Sequence, residues 1–241
     1  FESPSSSQVS RSSHKLLTQS HMAAGRKKSL EACLGSDERE IQEEDLIPAL
    51  RAECCSDKKF ARLYRNVLSA EECVALIKAT ERAGYSSLAH EYNKSYRNND
   101  RVIIEDAAFS QRVLSRVLPF LPKERRQGRE VLVGLNECLR CCRYDPGGHF
   151  SAHKDGEFTR NSKERSRITF MLYLNGDFEG GETRFLRDAR GPGRRPVHLI
   201  KPEPGLLLAF EHDILHDGNR VEGGRKYILR SDVMYRDVDE E

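Results

Sequence analysis

The chain has 241 residues, 37% of them apolar and 32% charged, and its 40 basic against 38 acidic side chains leave a formal charge of +2. No apolar run approaches the roughly 20 residues that a membrane-spanning helix needs, which excludes such a helix. The near-neutral balance is a weak footing for a partner bound through its phosphates, so neither a membrane nor a nucleic acid is expected. One domain with a modest core and a tail suits this length. No basic flank precedes an apolar segment near the start, and a cytoplasmic setting is expected, although a chain that opens on Phe1 can have lost a leader.

Residues 1–56 pass from serine-rich "SPSSSQVSRSS" to charged "SDEREIQEED" and read as a disordered, charged N-terminal arm with a short helix near its end. The domain is expected over 57–241, with a helical part at 60–128. There Ser69 and Glu72 form a capping box, Val74 and Ile77 share an apolar face, and Gly84 stops the helix. A second helix starts near Asp106, carries Phe109, Val113 and Val117 on one stripe, and ends by Pro119 and Pro122. The basic clusters at 123–130 and 187–196 read as solvated loops.

Between 130 and 236 the period becomes extended, with β-rich runs at 131–144, 167–174, 182–186, 196–200, 206–210 and 225–235 between Gly, Pro, Asn and Asp. Short strands without intervening helices indicate a sandwich or barrel, mainly β with flanking helices packed on it (α+β). In "RITFMLYLN", Ile168, Phe170, Leu172 and Leu174 make one apolar face, while Arg167, Thr169, Met171 and Tyr173 make a mixed face that suits a cavity. Gly147 with Gly148, and Gly180 with Gly181, allow tight bends. Seven cysteines, an odd number, include only one CxxC, Cys138 and Cys141, whose side chains point to opposite faces of a strand. They read as reduced thiols rather than a zinc site or a disulfide framework.

"SAHKDGEFTR" puts His153 and Asp155 two apart, on one face of an extended chain, close enough to share a metal ion. One histidine and one carboxylate need a third ligand, and His212 and His216 both follow the apolar strand at 206–210. Two histidines and a carboxylate on one face, with positions left open, suit ferrous iron that must also bind a co-substrate and oxygen.

Across residues 60–236 the chain resembles the iron(II)/2-oxoglutarate-dependent oxygenases, and within them the prolyl 4-hydroxylase-like (alpha subunit catalytic domain) branch. The carriers are "RYDPGGHFSAHKDG", "SRITFMLYLN", "FEGGETRFL", "KPEPGLLLAF" and "LHDGNRVEGGRKYILRSDVMY". The resemblance implies a double-stranded β-helix, a cupin-like jelly roll, with core 130–236 and iron held by His153, Asp155 and His216. The spacing of His216, Gly218, Val221, Gly224 and Lys226 matches the family pattern, which makes His212 a loop or supporting residue and leaves His149 out. It also implies Lys226 on the far carboxylate of 2-oxoglutarate, with Arg230 assisting or replacing it, Tyr173 meeting that carboxylate, and Tyr144 bordering the co-substrate. Asn136, Arg140 and Cys142, on the face of Tyr144, are candidates for the prime substrate.

The implied activity is hydroxylation of a substrate C–H bond using Fe(II), 2-oxoglutarate and O2, with release of succinate and CO2 and with ascorbate as a reductant. A peptidyl proline is the expected substrate. Other readings are a small-molecule or amino-acid hydroxylase and an AlkB-type nucleic-acid demethylase, which the near-neutral charge and few aromatics disfavour. A non-catalytic metal-binding jelly-roll module is disfavoured by the presence of His153, Asp155, His216 and Lys226 together.

Overall fold

The computed structural model describes residues 29–51, 54–56, 58–187 and 196–238. In chain order the elements are β1 (Gln42–Asp45), α1 (Ile47–Leu50), β2 (Ala61–Arg65), α2 (Ala70–Ala83), β3 (Ser86–Ser87), β4 (Arg97–Asn98), β5 (Asp100–Glu105) and α3 (Ala107–Val117). There follow β6 (Glu124–Arg125), β7 (Glu130–Leu135), β8 (Cys138–Tyr144), β9 (His149–His153), β10 (Glu164–Tyr173), β11 (Glu179–Gly180), β12 (Thr183–Leu186) and β13 (Pro196–Ile200). The last four strands are β14 (Leu207–Glu211), β15 (His216–Gly218), β16 (Val221–Gly223) and β17 (Lys226–Asp237).

Two sheets make the jelly roll. The larger runs β1-β2-β14-β10-β17-β8-β5-β3, with β7 also on β17, and the smaller runs β13-β12-β15-β9-β4. Every pairing is antiparallel. β10 shows how the sequence divides the core, because alternate side chains leave a strand on opposite faces. Ile168, Phe170, Leu172 and Leu174 join the outer core under α2 and α3, while Met171 and Tyr173 join an inner core with Phe185, Leu208, Phe210 and Ile228.

The helices start where expected. The Ser69 hydroxyl accepts from Glu72 N and the Glu72 carboxylate from Ser69 N, a reciprocal cap, and Asp106 caps α3 by accepting from Phe109 N. Phe109, Val113 and Val117 are fully buried. In α2, however, the fully buried face is Cys73, Leu76 and Thr80; Ile77 packs against the outer core only partly buried, and Val74 is 48% exposed. Val74 and Ile77 are three apart and so are Cys73 and Leu76, and sequence spacing cannot tell which stripe meets the sheet.

Two further expectations change. The part at 60–128 is not purely helical: β2 and β5 are strands of the larger sheet, paired with β14 and β8. Within the stretch expected to be a disordered arm, residues 29–51 pack on the domain. β1 pairs with β2, Leu30 and Leu34 enter the outer core, and Leu46, Ile47 and Leu50 enter the inner one. The charged string around them hid these few leucines, which cover apolar surface at the sheet edge. Residues 1–28 lie outside the described residues, as does most of the basic cluster at 187–196; Cys33, Cys73, Cys138, Cys141 and Cys142 are free thiols. Among the described residues no helix is long and apolar enough to cross a membrane.

Candidate active site

The smaller sheet brings the two outer members of the expected triad together. β15 pairs with β9 so that His216 stands directly across from His153, with ring centroids 4.3 Å apart. Asp155 lies past the end of β9, so shared strand alternation is not what aims it. The chain turns off the strand, the Asp155 N–H donates to His212 O at 2.8 Å, and the carboxylate swings toward both rings. Ligand atoms of the three residues all lie within 4.8 Å of one another.

The backbone fixes which ring nitrogens face inward. His153 Nδ1 is 2.8 Å from Ser151 O and His216 Nδ1 is 2.9 Å from Ile214 O. A carbonyl can only accept, so each Nδ1 carries the proton and each Nε2 presents a lone pair in the neutral ring. Burial pushes His216 down to about 4, which keeps it neutral at physiological pH. The two Nε2 atoms lie 3.6 and 3.7 Å from the Asp155 oxygens. Lone pairs facing a carboxylate repel one another unless a cation sits between them, and this donor set fits a divalent metal ion.

Asp155 is held ionised. Burial alone would raise it, but the guanidinium of Arg230 outweighs that and holds it well below the ordinary carboxylate range. A directed hydrogen-bond chain orients it: Phe158 N–H donates to Ser166 Oγ, Ser166 to His212 Nε2, His212 Nδ1 to Thr169 Oγ1, and Thr169 to Asp155 Oδ2 at 2.6 Å. His212 is thus a supporting residue.

A cavity of about 310 Å3 opens beside the triad. At one side lies Lys226, 3% exposed, whose Nζ donates to Gly181 O at 2.6 Å and sits 5.4 and 5.6 Å from the ring centres of Tyr144 and Tyr173. The carbonyl is presented by the left-handed pair Gly180 and Gly181; a Cβ on Gly180 would meet Arg220 O at 2.3 Å. Lys226 pairs with no carboxylate among the described residues, and burial pushes it down to about 8. An ammonium buried this way fits an incoming carboxylate. Tyr173 donates its hydroxyl to Thr183 Oγ1 at 2.6 Å, so Thr183, absent from the expected set, belongs to the same wall.

Arg230 stands apart from Lys226. Four residues along a strand separate the two by about 13 Å, and Arg230 Nη2 lies 3.1 Å from Asp155 Oδ1 and 3.2 Å from Asp232 Oδ1. Two carboxylates thus answer its charge, although its buried Nε and Nη2 lack a hydrogen-bond partner of good geometry. Arg140 and Cys142 line the cavity, but Asn136 does not: it sits at the β7–β8 turn, where its side chain accepts from Cys138 N and its carbonyl from Ser110 and Ser231. Tyr92, Tyr96, Arg97, Arg101 and Phe150 complete the rim, and all but Phe150 come from the stretch read as helical.

Residues 139–231 match the model of the 2OG-Fe(II) oxygenase superfamily. The matched stretch is thus similar to a 2OG-Fe(II) oxygenase domain, and the clustered His153, Asp155 and His216 beside the cavity support Fe(II), 2-oxoglutarate and O2 as its reactants. No curated protein sequence matches the chain. Among solved structures, a prolyl hydroxylase in complex with a hypoxia inducible factor oxygen degradation domain peptide fragment from Trichoplax adhaerens is 17% identical, with a TM-score of 0.51 over 73% of this chain and 83% of that one. The viral collagen prolyl hydroxylase of Paramecium Bursaria Chlorella virus-1, in a 2OG complex, is 20% identical with a TM-score of 0.49 over 75% and 98%. A Pseudomonas putida prolyl-4-hydroxylase is 19% identical with a TM-score of 0.49 over 74% and 93%. At such identities the likeness concerns the fold.

Proposed function

We propose that this oxygenase hydroxylates a proline ring in a peptide, with His153, Asp155 and His216 as the iron ligands and Lys226 as the partner of the far carboxylate of 2-oxoglutarate. The observation that carries the metal assignment is the pair of Nε2 lone pairs fixed by backbone carbonyls against one ionised carboxylate. Iron and 2-oxoglutarate supply the oxidising chemistry, in which O2 converts the keto acid to succinate and CO2 and one oxygen atom enters a substrate C–H bond.

The protein's part is binding and orientation. His153 and His216 present Nε2 as the nitrogen donor, because each Nδ1–H is held on its carbonyl. Thr169, backed by His212, holds one oxygen of Asp155, and Arg230 stands against the other, so Arg230 orients the ligand carboxylate rather than sharing the work of Lys226. Tyr144 and Tyr173 wall off the Lys226 end from water with their ring faces. Support for a peptide is the rim of aromatic side chains, together with the shared fold of the Trichoplax enzyme, which is bound to a peptide fragment.

Anaerobic titration with iron(II) and 2-oxoglutarate tests the site: a visible metal-to-ligand charge-transfer band is expected in the wild type. His153→Ala and Asp155→Ala should lose the band and all succinate formation while keeping the wild-type circular dichroism spectrum. Retention of the band in both variants would remove the triad. The substrate assignment is checked by mass spectrometry of proline peptides for a gain of one oxygen atom, with ascorbate as reductant.

A further inference from the structure

Arg97 lies in the cavity wall without a counter-charge. Its Nε donates to Asn99 Oδ1 at 2.7 Å and its Nη2 reaches only Cys142 Sγ, at 3.7 Å, a weak acceptor. Its neighbours at the rim are paired: Arg101 with Glu91 and Arg140 with Asp232. Arg97 has no carboxylate partner among the described residues. Instead its guanidinium carbon sits 4.3 Å from the centre of the Phe150 ring and 5.4 Å from that of Tyr92. A guanidinium laid on an aromatic face can still use its edge, and here the Nη1–Nη2 edge, engaged only by the weak Cys142 contact, matches a carboxylate with two parallel hydrogen bonds.

Its position ties it to the reacting centre. The Phe150 ring stacks on the His153 imidazole at 3.6 Å, nearly parallel at 16°, and Tyr96 meets Phe150 edge-on at 5.5 Å. Arg97 therefore stands one ring away from a ligand of the proposed metal. The charge balance points the same way. In the reading above, the two carboxylates of 2-oxoglutarate are answered by Lys226 and the metal, and Arg230 by Asp155 and Asp232. Arg97 remains unanswered.

We propose that the prime substrate carries a carboxylate that Arg97 grips, so that the hydroxylated ring is presented with an anionic group beside it. This rests on the oxygenase reading of the same cavity. The carboxylate can be the α-carboxylate of a free or C-terminal proline, or an acidic side chain next to the proline.

Two matched pairs of probes separate these sources on the full chain loaded with iron(II) and 2-oxoglutarate: N-acetylproline against N-acetylprolinamide, and N-acetyl-prolyl-aspartate amide against its asparagine counterpart. Binding is read anaerobically from the shift of the charge-transfer band, and turnover from probe-stimulated succinate release. In at least one pair the acid should bind about tenfold or more tightly than its amide, the loss expected when a charged hydrogen-bonding partner is removed. Arg97→Gln should raise the Kd of that acid to the level of its amide and leave the Kd of 2-oxoglutarate where it was. Arg97→Lys, which keeps the charge without the fork, should retain part of the gap. Equal binding of acid and amide in both pairs, no binding by any probe, or a raised Kd for 2-oxoglutarate in Arg97→Gln overturns the proposal. A band that forms in the wild type alongside any of these results leaves the oxygenase reading standing, whereas no band at all removes that reading and this proposal with it.

Discussion

Lys226 shows what a site costs the empty protein. Burial lowers its ammonium from 10.5 to about 8, so between those values the unfolded chain holds a proton that the folded one has released. By linkage the stability of the ligand-free protein rises with pH across that window, and below it the buried charge costs on the order of 2–3 kcal/mol. Lys226→Met should stabilise the ligand-free protein at neutral pH by about that amount, flatten the rise between pH 8 and 10, and remove 2-oxoglutarate binding; denaturant melts across pH and titration of the band measure all three. His212 acts through other atoms. His212→Leu deprives Thr169 of its donor, frees the Asp155 carboxylate to rotate, and should weaken iron(II) affinity about 10- to 100-fold, measured by competition with a chelator, while Lys226 and 2-oxoglutarate selectivity stay unchanged.

At the scale of elements, the histidines meet because β9 and β15 are neighbours in register, although 62 residues lie between them in the chain. The sequence motifs around each ligand were readable, since they are local. The aim of Asp155 was not, because it depends on the loop after β9 being pinned to His212. Helix α2 makes a similar point. Its cap, length and stop follow from Ser69, Glu72 and Gly84, yet its buried stripe is set by the sheet beneath it. Leu76→Ala should therefore cost about 2–4 kcal/mol and Val74→Ser less than about 0.5 kcal/mol, a contrast that urea melts of the two variants resolve.

Over the whole molecule, a buried ion pair and the N-terminal stretch bind the outer layer together. Arg116 of α3 donates to both Glu72 oxygens on α2 and to the Ser36 and Val67 carbonyls, while Leu50, fully buried, helps close the inner core. A chain begun at residue 57, where the sequence alone puts the domain boundary, loses Ser36, Leu46 and Leu50 from these contacts. It should melt well below the full chain or fail to stay soluble, and scanning calorimetry of the two chains side by side checks this.

The amino-acid sequence by itself determined the class of the domain, the helix caps, the two faces of β10 and the candidate ligands, because each is written in local spacing: a period of two, a period of three to four, or a short motif. Only the tertiary structure decided that Val74 faces outward, that β2 and β5 complete the larger sheet, that Arg230 lies against Asp155, and that Arg97 reaches the cavity. Those outcomes depend on which surfaces bury one another and which charges are left unpaired once they do, and such balances exist only after distant parts of the chain are in contact.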